Sequence, residues 1–206
     1  INGKVISVII KDKKVKGKSF LFTTSFPIIA KIFQKYKEDK WIENIIKIKY
    51  LGNICLVLKL KKSLSKTYWL NVNDPGFPFV GVIEHTNFDD PANYNGNHIV
   101  YLSRYISTSD TAWKYSDDEY YNYAMSYLKK MFPKLKNDWV TDYKIWRAEY
   151  SQPITEKNYS NMIPPHTTPF KNTLVFSMAQ IYPEDRGTNY AIREGKLAAK
   201  ELLKIR

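Results

Sequence analysis

The sequence predicts an α+β fold, with a mostly antiparallel mixed sheet and helices packed on it. Segments with alternating apolar and polar residues follow one another in blocks, and helical segments stand between these blocks and at the end. Separators that are dense in turn residues, such as "NDPGFP" and "DDPANYNGN", divide the strands. Strands gathered in blocks, instead of alternating one by one with helices, are typical of this class.

The first quarter of the chain is predicted to hold three strands followed by two helices. "KVISVIIKDKKVKGKSFLFTTS" predicts two strands joined by a Lys/Asp turn, with a third strand at Ser19–Thr24. Pro27 near the first turn of "PIIAKIFQKY" favours a helix, and "DKWIENIIK" predicts a second.

The middle of the chain is predicted to form four strands and a helix. "YLGNICLVLKL" is rich in β-branched residues, and "YWLNV", "FVGVIEHTNF" and "HIVYLSRYI" follow it. In "SDDEYYNYAMSYLKKMF", Ser116 and Glu119 form a capping box that starts a helix, and Pro133 ends it.

The last third predicts two strands and a final helix. "WVTDYKIWRAEYSQPI" is a long strand, "NYSNMIPPHTTP" is a Pro-rich loop, and "NTLVFSMAQ" is a strand. In "YPEDRGTNYAIREGKLAAKELL", Ala191, Gly195, Ala198 and Ala199 recur at helical spacing. These small residues predict a narrow face that packs closely on a sheet.

Composition indicates a soluble globular chain of one large domain or two small ones. Of the 206 residues, 44% are hydrophobic and 25% are charged. No apolar run approaches the length of a membrane span, so none is predicted. The single Cys55 fits a reducing compartment, and we therefore expect a cytoplasmic protein.

The net charge of +12 leaves a second functional class open, a basic non-catalytic α+β module that binds an anionic partner. The lysines are scattered along the chain in groups such as "KDKKVKGK" and "KLKK". No nucleic-acid-binding motif accompanies them, so a nucleic-acid partner is not predicted.

Several common catalytic classes lack their motifs. His85, His98 and His166 are far apart in sequence and no C-x-x-C pair exists, so no metal site is predicted. No G-x-S-x-G motif is present. "GFPFVG", residues 76–81, has Pro78 in place of the middle glycine of a dinucleotide fingerprint, and we interpret it as a turn.

The start of the final helix is a candidate anion-binding site. Backbone N–H groups near Thr188 and Asn189 carry the positive end of the helix dipole, which favours a phosphate or another electron-rich group. Gly187 allows the backbone to approach such a group closely. The alternative interpretation is an ordinary helix with a polar cap.

The segment "TLVFSMAQ", a loop and "GTNYAIREGKLAA" resembles the C-terminal segment of FAD-dependent oxidoreductases of the flavin-containing amine oxidase superfamily. These proteins, which include protoporphyrinogen oxidases and UDP-galactopyranose mutases, end in a helix of the form G-A-x-x-S-G-x-x-A-A. Tyr190 and Glu194 depart from that pattern. The N-terminal hairpin region and "IWRAEYSQP" resemble the segments that lead into and out of the substrate domain of the superfamily.

The resemblance implies a C-terminal fragment of a longer flavoprotein. Residues 1–26 would be a remnant of the FAD-binding domain, residues 27–170 the substrate-binding domain, and residues 171–206 the C-terminal FAD-binding strand and helix. The N-terminal Rossmann part with its G-x-G-x-x-G would belong to the same parent chain. The resemblance implies FAD and a small organic substrate as partners of the parent, whereas we expect the fragment alone to be apo and inactive.

The resemblance also implies which residues contact the cofactor. Backbone N–H groups of residues 187–192 would lie near the pyrophosphate or the pyrimidine end of the flavin. The ribityl contact is left open between Gln180, Glu184 and Asp185. The implied cofactor-binding residues are Gln180, Asp185, Arg186, Gly187, Thr188, Asn189, Tyr190, Ala191 and Ile192.

The substrate pocket is expected to be lined by the strands, where aromatic and a few polar side chains suit a flat or apolar molecule. Period-two alternation places Tyr101 and Tyr105 on one face of their strand and Arg104 on the other. The candidate pocket residues are Trp69, His85, Tyr101, Arg104, Arg147 and Tyr150. Their alternative role is in the core.

The implied reaction is hydride abstraction from an organic substrate, which could be an amine, a porphyrinogen-like compound or another molecule. Amine oxidases often carry a lysine on the strand equivalent to "YLGNICLVLKL", and residues 51–58 contain none. The resemblance therefore does not imply a strict amine oxidase.

Overall fold

The N-terminal part of the chain folds in the predicted order of three strands and two helices. The computed structural model of the protein describes residues 3–205. The elements are β1 (Ser7–Ile10), β2 (Lys13–Lys16), β3 (Phe20–Phe22), α1 (Phe26–Ile32) and α2 (Lys40–Ile46). β1 and β2 form an antiparallel hairpin whose turn residues, Lys11 and Asp12, both have positive φ angles.

The middle of the chain forms a five-stranded sheet and one long helix. The elements are β4 (Tyr50–Leu60), β5 (Trp69–Asn71), β6 (Gly81–Glu84), β7 (His98–Ile106), α3 (Asp117–Met131) and β8 (Val140–Pro153). The strand order in the sheet is β5-β6-β7-β4-β8, with β7 antiparallel to both β4 and β6. This confirms the predicted α+β class with an antiparallel sheet.

One face of this sheet is covered by α3 and forms the main core. Along β4 every second residue is buried, and Ile54, Leu56, Leu58 and Leu60 are all 0% exposed. They pack with side chains of α3 such as Leu128. We call this side of the sheet the helix-covered face.

The start of α3 is fixed by the predicted capping box. The Ser116 N–H donates to Glu119 Oε2 at 2.7 Å, and the Glu119 N–H donates to Ser116 Oγ at 3.2 Å. One turn further, the buried Tyr120 hydroxyl donates to the Pro78 carbonyl at 3.1 Å. Burial raises the pKa of Tyr120 to about 12.

The C-terminal part contains β9 (Thr173–Val175) and α4 (Thr188–Lys204). β9 pairs in parallel with β3, and all three of its residues are buried. The strand predicted at residues 172–180 is therefore shorter than expected. It ends because Ser177 and Gln180 form a second capping box, which starts a 3₁₀ turn at Met178–Gln180.

The strand predicted at residues 79–88 also ends early, at Glu84. A 3₁₀ turn follows at His85–Asn87. The Glu84 carboxylate, 1% exposed, accepts hydrogen bonds from the N–H groups of Leu64 and Ser65. A buried carboxylate with backbone donors holds this end of β6 in place.

The chain divides into two compact units. The first comprises Ile1–Lys49 and Pro153–Arg206, and the second comprises Tyr50–Gln152. The expected domain boundaries near residues 26 and 170 both fall inside the first unit. The assignment of functions to those segments stays a prediction.

Candidate functional site

The sheet face opposite α3 carries a group of aromatic side chains. Trp69 pairs with Ile83, Ile83 with Tyr101, and Tyr101 with Val57, so these residues form one row across four strands. Tyr105 lies further along β7, on the same side as Tyr101. In β8, Ile145 is buried in the core, and because neighbouring strand residues point to opposite sides, Trp146 points to the same side as Tyr105. We call this side the aromatic face, defined by Trp69, Tyr101, Tyr105 and Trp146.

A row of small side chains crosses the aromatic face between Tyr101 and Tyr105. Ser103 pairs with Gly81 on one side and with Cys55 on the other. A Cβ built on Gly81 would meet only the Leu70 carbonyl oxygen, at 3.9 Å. Small side chains flanked by exposed aromatic rings leave room for a flat or apolar group.

His85, at the end of β6, joins the aromatic face through its contact with Tyr101. The two rings are 6.0 Å apart and nearly perpendicular. His85 Nε2 lies 2.6 Å from the Tyr94 hydroxyl, which donates to Asp89 Oδ2 at 2.9 Å. Three of the six predicted pocket residues, Trp69, His85 and Tyr101, thus lie on or beside the aromatic face.

The two predicted arginines lie elsewhere in the second unit. Arg104 is on the helix-covered side of β7, with Nη2 3.5 Å from Asp110 Oδ2. Arg147 is paired with Asp117 and donates to the Tyr115 carbonyl at 2.8 Å. Because α3 occupies that face, Arg147 serves to tie the start of the helix to β8.

Tyr150, the remaining predicted pocket residue, lies near one end of β8. Its ring packs edge-on against Tyr50, with the centroids 6.0 Å apart. This contact places Tyr150 beside Tyr50, at the start of β4.

The start of α4, in the first unit, has the features of an anion-binding helix end. Gly187 is the N-cap and offers no side-chain cap. Within residues 3–205, the N–H groups of Thr188 and Asn189 have no hydrogen-bond partner. A Cβ on Gly187 would lie 2.5 Å from Asn189 Oδ1, so the side chain of Asn189 fills the space beside this glycine. Free N–H groups at the start of a helix can bind an anionic or carbonyl oxygen of a ligand.

The polar residues around this helix start are engaged to different degrees. Gln180 accepts from the Ser177 N–H at 2.7 Å and donates to the Pro164 carbonyl at 3.0 Å. Glu184 pairs with Arg193 at 2.9 Å, and this hydrogen bond lowers the pKa of Glu184. Asp185 is exposed and only accepts from the neighbouring Arg186 N–H. Of the three ribityl candidates, Asp185 is the least engaged.

The remaining cofactor candidates lie along the first turns of α4 and just before it. Arg186 lies beside the Tyr159 hydroxyl, whose pKa is raised by burial and lowered in part by this arginine. The Arg193 guanidinium stacks 4.8 Å from the Tyr190 ring centroid. Ala191 and Ile192 are exposed.

The small residues of α4 do not all face the sheet as predicted. Ala198 is 1% exposed and packs with Leu174 and Phe176 of the β9 region. Ala191, Gly195 and Ala199 are exposed, and a Cβ on Gly195 would meet nothing within 4 Å. The helix contacts its core through Ala198 and Leu202, which are four positions apart, and this turns the other small residues outward.

Sequence reasoning missed Asp89, Tyr94 and Trp146. Asp89 lies four residues after His85, and this spacing is a weak signal for a contact in a helical turn. Trp146 could have been found from its alternation with Ile145 in the long strand. Tyr94 had no signal, because the short 3₁₀ turn Pro91–Tyr94 that brings it to His85 has no periodicity to detect.

Two kinds of feature are absent from the part of the chain that the structure describes. Within residues 3–205 there is no group of three or more His, Cys, Asp or Glu residues that could hold a metal ion. In the same residues no helix has the length and apolar character needed to span a membrane.

The fold of this chain is similar to that of part of several solved enzymes. An oxidoreductase from Methanosarcina mazei matches 86% of this chain with a TM-score of 0.62 at 18% identity. A candidate protoporphyrinogen oxidase from Exiguobacterium sp. 255-15 matches 89% with a TM-score of 0.61 at 10% identity. Reduced UDP-galactopyranose mutase matches 79% with a TM-score of 0.57 at 14% identity.

The family itself is identified from the sequence. The family model of flavin containing amine oxidoreductases matches residues 2–203, and the chain therefore belongs to this family. The match confirms the resemblance seen in the sequence. A comparison with curated protein sequences finds no significant match. The chain covers only 41%, 42% and 37% of the lengths of the three solved structures.

Proposed function

We propose that this chain is the substrate-domain portion of an FAD-dependent oxidoreductase that abstracts hydride from a flat or largely apolar organic substrate. The observation that carries the proposal is the family match over residues 2–203, to which the aromatic face adds a candidate binding surface. FAD, when bound, accepts the hydride. The substrate and the site residues are inferences from the arrangement of side chains in each unit.

The start of α4 is the candidate contact with the cofactor. The free N–H groups of Thr188 and Asn189 would donate to an anionic or carbonyl oxygen of FAD. The carboxylate of Asp185 is the best-placed acceptor for a ribityl hydroxyl, because Gln180 and Glu184 already bind other groups of the chain.

The aromatic face is the candidate substrate surface. Trp69 is 55% exposed and Tyr105 is 49% exposed, so their rings are available to a ligand. The row of Gly81, Ser103 and Cys55 between the large rings offers space and one hydroxyl. Flat or apolar molecules stack on such surfaces, and a few polar groups fix their orientation.

An N-terminal Rossmann-type segment is the proposed structural partner, and β3 supports this. The Phe20 N–H donates to Asn172 and the Phe176 N–H donates to Phe22, so the backbone of Phe20 and Phe22 faces β9. Alternation directs the N–H and C=O groups of Leu21 to the opposite edge. A strand edge with unpaired N–H and C=O groups can pair with a further strand. Parallel sheets occur almost only as larger sheets whose two faces are covered, so the two-stranded sheet of β3 and β9 is expected to be part of a larger one.

A cavity of 740 Å³ is lined in part by β3 and is also suited to a partner. It is lined by β1, β3 and the α1 region, with mostly apolar side chains. Nearby, Ile6 and Ile9 are 72% and 76% exposed. Exposed apolar surface of this extent marks an interaction site. The outward small residues of α4 offer a second contact for the same partner.

Flavin content tests the proposal when this chain is compared with the longer polypeptide that includes its upstream segment. We expect the chain alone to be colourless and the longer polypeptide to bind FAD, measured by visible absorbance and FAD-to-protein ratio. A longer polypeptide without flavin would refute the function. Stoichiometric FAD on the chain alone would refute the need for a partner.

The helix-start assignment is tested with Thr188→Pro in the longer polypeptide. Proline is tolerated at the first helical position but removes the N–H, so we expect FAD affinity to fall by about tenfold or more. Lys200→Ala, on an exposed position of the same helix, is the matched control and should leave affinity unchanged. Equal affinities for both variants would exclude the Thr188 contact.

A further inference from the structure

Asp89, Tyr94 and His85 form a connected row of titratable groups beside the aromatic face. The Tyr94 hydroxyl donates to Asp89 Oδ2 at 2.9 Å, and its oxygen lies 2.6 Å from His85 Nε2. Asp89 Oδ2 itself is 3.8 Å from His85 Nε2. In such a row, the protonation state of one group determines which of the others donates a hydrogen bond and which accepts it.

The direction of the hydrogen bonds follows from the charge of Asp89. Its Oδ1 accepts from the Asn93 side chain and from the Asp90 N–H, both at 2.9 Å. Hydrogen bonds from Tyr94 and Asn93 lower the pKa of Asp89, so at neutral pH it is an ionised carboxylate that only accepts. Tyr94 must therefore give its proton to Asp89.

This direction determines the tautomer of His85. Because the Tyr94 proton is used toward Asp89, the Tyr94 oxygen accepts from His85, and Nε2 carries a proton. In neutral histidine the other ring nitrogen then holds the free lone pair. Within residues 3–205, His85 Nδ1 has no hydrogen-bond partner, and the side chain is 27% exposed.

The other two histidines are held differently and provide a contrast. His166 Nδ1 lies 3.1 Å from the Val175 carbonyl, and its ring stacks on Phe176 at 3.9 Å. His98 Nδ1 lies 3.7 Å from the buried Glu84 carboxylate. Of the three, only His85 combines a fixed Nε2–H with a ring in contact with the aromatic face.

We propose that Asp89 and Tyr94 are positioning residues that hold His85 in its Nε2–H tautomer, and that His85 Nδ1 accepts a proton from the substrate. The inference rests on the proposed function for the presence of a substrate on the aromatic face. The substrate class is an organic molecule with an N–H or O–H group next to its aromatic or apolar part.

The proton transfer is balanced within the substrate and the imidazole. The N–H or O–H bond of the substrate breaks, its electron pair stays on the nitrogen or oxygen, and the proton moves to Nδ1. The resulting imidazolium is stabilised by the Asp89 carboxylate through Tyr94. A substrate made more electron-rich in this way gives up hydride from its neighbouring carbon more readily.

The tautomer is measured on this chain by long-range ¹H–¹⁵N correlation of the histidine rings. We expect a widely separated pair of nitrogen shifts for His85, with Nε2 protonated. Tyr94→Phe removes the acceptor and should narrow the separation as the tautomers mix. The Nδ1–H form in the unsubstituted chain, or an unchanged separation in a folded Tyr94→Phe variant, would overturn the proposal.

Two further variants keep this measurement interpretable. Tyr101→Phe removes a hydroxyl from the other ring that contacts His85 and should leave the nitrogen shifts unchanged. Asp89→Asn can donate to Tyr94, which frees the Tyr94 proton for His85 Nε2, so we expect the population of the Nδ1–H form to rise. No such rise in Asp89→Asn would overturn the relay even if Tyr94→Phe fails to fold.

The acceptor role is tested separately with two matched probes, phenol and anisole. Both have an aromatic ring that suits the aromatic face, but only phenol carries an O–H donor. We expect phenol to shift the His85 Nδ1 resonance and anisole to leave it unchanged. An Nδ1 resonance that does not move at saturating phenol would overturn the acceptor role. Neither probe requires FAD, so a failure here is distinct from a failure of the longer polypeptide to bind flavin.

Discussion

The two faces of the five-stranded sheet differ in what covers them and in the side chains that they carry. On the helix-covered face, β4 contributes a run of aliphatic residues that are 0% exposed and pack with α3. On the aromatic face, the same strand presents Asn53, Cys55 and Val57, which are only partly buried. Large aromatic rings from β5, β7 and β8 surround them.

This difference separates the residues that stabilise the unit from those available for binding. Arg104 and Arg147 belong to the stabilising side, because their ion pairs hold the segment before α3 and its first turn. Trp69, His85 and Tyr101 lie on the side with exposed rings. A residue's side of the sheet therefore predicts the kind of effect that its substitution has.

The largest expected effect comes from neighbouring residues of β4 that point to opposite faces. Leu58→Ala removes a fully buried side chain from the core, and we expect it to lower the free energy of unfolding by about 2–5 kcal/mol. Val57→Ala, on the aromatic face, should lower it by about 1 kcal/mol or less. Urea unfolding followed by circular dichroism measures both. Equal losses would mean that the two faces are packed alike.

Much of the fold was predictable because its signals are local. The alternation in "YLGNICLVLKL" gave the bounds of β4, and the Ser116–Glu119 capping box gave the start of α3. The shortened strand at β9 also had a local signal, since Ser177 and Gln180 stand at capping-box spacing. That signal lies in a run of apolar residues that looks like a continuous strand.

The composition of the site was less predictable because it depends on contacts between distant segments. Sequence alternation separated Tyr101 from Arg104, but only the position of α3 shows which of the two sides is covered. The grouping of His85 with Tyr94 depends on two irregular turns without periodicity. Likewise, the outward direction of Ala191 and Gly195 follows from where α4 meets its core.

A second pair of substitutions compares the space above two glycines, one on each face. A Cβ on Gly52 would lie 2.7 Å from the Trp113 ring and 3.3 Å from the Ala148 carbonyl oxygen. We expect Gly52→Ala to lower the free energy of unfolding by about 1–3 kcal/mol through overpacking. A Cβ on Gly81 would make only an ordinary van der Waals contact, so we expect Gly81→Ala to change the free energy of unfolding by less than about 1 kcal/mol in either direction.

Thermal or urea unfolding of the two glycine variants gives the comparison directly. In a Trp113→Leu background, Gly52→Ala should cost less free energy of unfolding than it does in the unsubstituted chain, since the ring atoms that the new methyl group meets are absent there. No difference between the Gly52 and Gly81 variants would contradict the assignment of Gly52 to the closely packed side.

A smaller effect is expected at the start of α3, which holds the helix on its face of the sheet. Ser116→Ala removes the side-chain acceptor for the Glu119 N–H, and we expect a loss of about 1 kcal/mol in the free energy of unfolding. Ser126→Ala, an exposed position later in the same helix, is the control and should have little effect. Urea unfolding of the two variants under identical conditions measures the difference.

The other half of this capping box predicts a pH dependence. The hydrogen bond from the Ser116 N–H lowers the pKa of Glu119, so its stabilising contribution is present above the unfolded-state pKa and is lost as the pH falls through the folded-state pKa. Glu119→Gln should therefore be less stable than the unsubstituted chain at neutral pH, and the difference should shrink in acid. A difference that stays constant with pH would show that the charge of Glu119 has no part in it.

The smallest expected effect is on the reactivity of Cys55, in the row of small residues on the aromatic face. Burial raises the pKa of its thiol, and the thiolate is the reactive form, so labelling by a thiol reagent at neutral pH should be slower in the folded chain than in urea. As the pH is raised, the labelling rate of the folded chain should increase mainly at pH values above the ordinary pKa of a thiol, because the pKa of Cys55 is raised. Equal rates in the folded and unfolded chain would mean that this row is fully open to solvent. The surface between Tyr101 and Tyr105 would then be a flat exposed sheet and not a partly enclosed site for a substrate.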